Sequence, residues 1–141
     1  QVFSFVYDSL SIPDCIYVKY GDDDDSEFLS PFTGVTTDSK RDFVKELNAL
    51  NADPANGLVA KINAELKKVG SNKTVEMLQP NFFKKDAAGN LSINVLQGRS
   101  QGGPNQYYVK KFTRTAINNK FTVRVFSPLG DTQFKVKIVC G

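Results

Sequence analysis

Residues 37–70 read TDSKRDFVKELNALNADPANGLVAKINAELKKVG, and the spacing of their apolar side chains separates this chain from an all-β protein. Phe43, Val44, Leu47 and Leu50 recur three and four residues apart and form one stripe, while Leu58, Val59, Ile62, Leu66 and Val69 form a second. That period matches the turn of an α-helix, so each stripe is the buried face of an amphipathic helix. Thr37 or Ser39 can cap the first helix, Asp53 followed by Pro54 opens the second, and Gly70 closes it. Only a few residues separate the two, which predicts an αα-hairpin.

On both flanks the pattern changes to strands. Residues 2–7 and 15–20 are short β-branched and aromatic runs around a Ser11-Ile12-Pro13-Asp14 turn. Further strands are predicted over 74–78, 91–96, 107–117, 120–126 and 132–140, with turn signals at Ala88-Gly89-Asn90, Asn118-Asn119 and Pro128-Leu129-Gly130-Asp131. The Asn118-Asn119 pair suits a tight hairpin, because asparagine tolerates positive φ. The expected fold is therefore α+β: a single domain over 1–141, built as an antiparallel β-sheet meander with a two-helix hairpin packed on one face. A chain of 141 residues needs only one core. No run of apolar residues approaches the length of a helical membrane span.

Charge is distributed unevenly. Residues 1–80 hold 8 Lys and Arg against 13 Asp and Glu, a net of −5, whereas residues 81–141 hold 10 against 2, a net of +8. In the last two predicted strands the bases alternate with apolar residues. Lys120, Thr122 and Arg124 fall opposite Phe121, Val123 and Val125; Lys135 and Lys137 fall opposite Phe134, Val136 and Ile138. One sheet face is thus expected to be basic, extended by Lys111 or Arg114 from the preceding strand and by Arg99 from the loop before it. Such a face attracts an anionic macromolecule or receptor, and lysine on the wet side of a sheet also serves solubility and guards edges. A third reading is a contact between copies, the acidic loop of one meeting the basic face of another.

The absence of histidine removes imidazole as base, acid or metal ligand. Gly98-Arg99-Ser100-Gln101-Gly102 matches the G-x-S-x-G nucleophile elbow literally, but Gly103-Pro104 follows where that elbow needs a helix, and no histidine base exists. Asn94 to Gly98 falls short of the cystatin Q-x-V-x-G loop because only Gly98 matches, so no inhibitor function is carried over. Asp22 and Asp24 supply the first D-x-D of an EF-hand, but Glu27 stands where glycine is required and Thr33 where the bidentate glutamate belongs. What remains is a looser, weak calcium site of Asp22, Asp24, Asp25 and Glu27, or a solvated acidic turn; no other cofactor is expected.

Gln1 at the start of the chain favours a removed leader, and Cys15 and Cys140, without metal-ligand spacing around either, read as a disulfide closing nearly the whole chain. The sequons Asn72-Lys73-Thr74 and Asn90-Leu91-Ser92 agree with an extracellular protein without requiring one. The resulting expectation is a secreted, non-enzymatic binding module that presents a basic sheet face to an anionic ligand or receptor. The alternatives are a structural subunit of a virion, filament or surface assembly, forming a homo-oligomer, and an inhibitor or effector presenting the glycine-rich loop over 98–106.

Overall fold

The computed structural model describes residues 2–21, 26–96, 106–113, 120–130 and 133–140. The elements in chain order are β1 (Val2–Leu10), β2 (Cys15–Tyr20), β3 (Glu27–Leu29), β4 (Phe32–Thr33), α1 (Phe43–Leu50), α2 (Leu58–Lys68), α3 (Val75–Leu78), β5 (Phe83–Lys85), β6 (Leu91–Ile93), β7 (Val95–Leu96), β8 (Gln106–Thr113), β9 (Phe121–Phe126) and β10 (Lys135–Cys140). The protein is α+β with several small sheets. The meander is not observed. Two three-stranded antiparallel sheets have the orders β10-β1-β8 and β3-β2-β9, and two-stranded sheets pair β4 with β7 in parallel and β5 with β6.

The two larger sheets pack face to face. Phe5 and Tyr7 of β1 and Phe112 of β8 form one buried cluster with Ile16, Val18 and Tyr20 of β2, and Phe3, Phe28, Phe121 and Val125 pack against it. The layer is aromatic. Tyr20 and Phe121 lie 4.9 Å apart by ring centroid, and Phe121 also meets Phe3 at 5.7 Å and Phe112 at 5.8 Å, both edge to face.

A second cluster fills the opposite side of the β2 sheet. There Cys15, Tyr17 and Leu29 meet Leu47 of α1, Leu58, Ile62 and Leu66 of α2, Val75 of α3, and Phe32, Phe82, Ile93 and Val95. The β2 strand is therefore covered on both faces, which is why its sequence, Cys-Ile-Tyr-Val-Lys-Tyr, is a nearly unbroken apolar run rather than an alternation.

The helices sit where their stripes predict but begin later than expected. Asp42, not Thr37 or Ser39, caps α1, its carboxylate accepting the Lys45 N–H at 3.1 Å. At the start of α2 the cap position is Gly57 rather than Asp53, and Asn51 Oδ1 reaches forward to accept the Val59 N–H at 2.9 Å. Glycine is required at 57 because a Cβ there would lie 2.3 Å from the Asp53 carbonyl oxygen. Gly70 does close α2: at φ 85° it forms the bond pair of a Schellman motif, Ser71 N–H to Leu66 O and Gly70 N–H to Lys67 O. The two helices do not lie along each other as a hairpin; α1 leans on β6 and α2 on α3.

The stretch 74–78 is a helix, not a strand. Asn63 Oδ1 accepts the Val75 N–H at 2.9 Å and Gln79 Nε2 donates to the Leu29 carbonyl at 3.0 Å, so the short segment is pinned at both ends. The Asn118-Asn119 turn lies outside the described residues, yet β8 and β9 cannot form a hairpin, since each pairs in a different sheet.

The disulfide is also not formed. Cys15 is fully buried against the helices, whereas Cys140 is exposed at the end of an edge strand of the other sheet, and both are thiols. Burial, and then the neighbouring Asp14, push the Cys15 thiol pKa up.

Candidate functional site

Alternation along β1 sends Phe3, Phe5 and Tyr7 into the aromatic layer and places Ser4, Val6 and Asp8 on the outer face. Register then fixes their neighbours. Asp8 pairs with Lys135, Val6 with Lys137 and Ser4 with Val139 on β10, while Ser4 pairs with Lys111 on β8. Paired positions share a face, so Lys111, Lys135 and Lys137 occupy the outer surface of the β10-β1-β8 sheet, and all three are exposed. The one carboxylate on the described part of that face is Asp8. Its Oδ1 accepts the Leu10 N–H at 2.8 Å, at the irregularity where Leu10 takes φ 60° and the β1 register shifts.

The expected basic face is divided between two sheets. Arg124 pairs with Tyr17 on β2 and therefore lies on the helix side of the other sheet, where its Nη2 stands 3.6 Å from Glu65 Oε2. Lys120 immediately precedes β9 and is exposed, its carbonyl accepting the Gly21 N–H at 2.7 Å. Arg99 and Arg114 lie outside the described residues. Three of the seven candidates thus share a surface, and β9 with β10 is not a hairpin.

Sequence reasoning passed over Lys110. It pairs with Phe5, which turns it to the inner side, and its ammonium lies 5.4 Å from the centroid of the Phe28 ring and 6.0 Å from that of Phe112. No period-2 argument separates it from Lys111 beyond parity, and parity alone could have suggested it: one of two adjacent lysines must face inward.

Of the calcium candidates, Asp22, Asp24 and Asp25 lie outside the described residues. Glu27 is turned inward: its side chain is fully buried, Oε1 accepts the Tyr17 hydroxyl at 2.6 Å, and Oε2 stands 3.8 Å from Lys73 Nζ. Glu27 is thus engaged with Tyr17 and Lys73. Among the described residues, no three His, Cys, Asp or Glu side chains gather to hold a metal ion.

No protein-family model, curated protein or solved structure matches this chain. Ammonium groups on two strands of one sheet can neutralise an extended anionic partner. Among the described residues no helix is long and apolar enough to cross a membrane. Of the loop over 98–106, residues 98–105, with the G-x-S-x-G match, lie outside them, and Gln106 opens β8.

Proposed function

We propose that this chain is a secreted, non-catalytic binding module whose basic outer sheet face engages an anionic ligand or receptor. The observation that carries the reading is the common placement of Lys111, Lys135 and Lys137 on one exposed sheet face that, in its described part, has Asp8 as its one acid. Arg124, on the other sheet, is directed toward Glu65 of α2 and does not add to this field.

The test is salt-dependent retention on immobilised heparin, used as a generic polyanion. Wild type should be retained at low salt and released as ionic strength rises, because screening and counterion release act on exposed charges. The double variant K135E/K137E should lose most of that retention, and K120E, altered on the other sheet, should lose less. Equal loss in both, or no retention by wild type, would count against this face.

A second reading, a structural subunit of a larger assembly, draws on the apolar residues exposed at the strand edges. Light scattering across concentration and salt would separate it, since a monomer throughout removes it.

A further inference from the structure

The β10 edge points to a more specific partner, and this inference rests on the anion-binding reading of the same face. We propose that β10 is a docking edge for an extended segment of a partner protein in which acidic and apolar residues alternate, and which adds to the sheet as a further strand.

Among the described residues β10 pairs on one side only, with β1, so its outward backbone donors and acceptors are available for a ladder. All six of its residues are exposed. The inner row is apolar: Val136 and Ile138 pair with Tyr7 and Phe5 and so point toward the aromatic layer, yet they are 40% and 43% exposed. Phe134, just before the strand, is 45% exposed and its ring lies 6.4 Å from that of Tyr7, tilted by 44°. On the facing sheet Val123 of β9 shares the inner face with Val18 and is 39% exposed. The aromatic layer is therefore left partly uncovered along this edge. An added strand with apolar residues at every second position would cover Val136 and Ile138 in register.

Its other positions would fall on the outer face beside Lys135 and Lys137. Charge complementarity selects the occupant there. A second copy of β10 would bring the same lysines onto the same face, and like charges across a strand pair are unfavourable, which is how lysine guards an edge. Carboxylates at those positions turn the guard into a pair of cross-strand ion pairs. The edge thus rejects itself and admits an acidic strand.

Fluorescence anisotropy with short capped peptides tests this. A peptide of alternating valine and glutamate should bind, and three comparisons should bind at least about tenfold more weakly: the same composition in block order, the alternating peptide with one edge N-methylated, and alternating valine and lysine. In K135E/K137E the preference should reverse toward the lysine peptide. The amides of β10 should be the ones shifted or protected by the bound peptide in NMR spectra. If the block and N-methylated peptides bind as well as the alternating one, attraction is plain polyanion binding; the function proposed above then stands and strand addition is overturned. If heparin is retained but no peptide binds, strand addition is likewise overturned. If neither binds, both readings fall. Dimerisation that competes with the peptide would assign the edge to a second copy instead.

Discussion

Tyr7 is a buried phenol at the inner face of β1. Its hydroxyl is buried and has no hydrogen-bond partner among the described residues, and Asp14, Cys15 and Asp8 lie near enough to disfavour a phenolate. Burial first, then those neighbours, push its pKa well above the usual 10.0. The sign follows directly. Below pH 10 the phenol is protonated in both the folded and the unfolded chain and contributes no pH dependence. Above it the unfolded chain releases the proton and the folded chain keeps it, so stability falls by up to about 1.4 kcal/mol per pH unit. Tyr7→Phe should therefore flatten the alkaline limb of a urea stability profile while changing neutral stability by no more than about 1 kcal/mol. An unchanged alkaline limb would mean that the phenol is reached by water. The sequence marks Tyr7 as an inward position of a strand beside Asp8, and only the fold brings Asp14 into its field.

At the level of elements, three asparagines do work that composition hides. Asn48 spans from α1 to β6, donating to Ser92 Oγ and accepting the Ile93 N–H, each at 2.9 Å. Asn51 and Asn63 each accept the N–H of a later helix, Val59 and Val75. Replacement Asn51→Ala strips α2 of this acceptor, because Gly57 has no side chain to substitute for it. It should cost about 1 kcal/mol, read as a shift in urea midpoint at unchanged slope. The apolar stripes of α1 and α2 were legible in the sequence, but their first residues were not. Local rules favour the nearest Thr, Ser or Asp, whereas the chain uses Asp42 for one helix and, for the other, an asparagine at the end of the preceding helix. For residues 74–78 the stretch was too short for period to separate helix from strand, and the bonds to Asn63 and Leu29 decided it.

For the whole molecule, the two cysteines report on the two ends of the stability range. Cys140 is exposed on an edge strand, while Cys15 is enclosed between the β2 sheet and the helices with its thiol pKa raised. A disulfide-exchange reagent should label Cys140 at once and Cys15 only at the rate at which the helix layer or the whole fold opens. Immediate labelling of both would show that the layer does not close over β2. By itself the sequence determined the class of the protein, the two helical stripes, most strand positions, the exclusion of imidazole chemistry and the basic bias of its second half. Those follow from composition and from periods within one segment, which are local quantities. Only the tertiary structure decided that β9 and β10 belong to different sheets, that Lys135 and Lys137 share a face with Lys111 and not with Arg124, and that Glu27 is buried against Tyr17 and Lys73. Alternation tells which residues of a strand share a side, but the partner strand is chosen by packing between distant segments. Here the aromatic layer made by β1, β2, β8 and β9 supplied that choice.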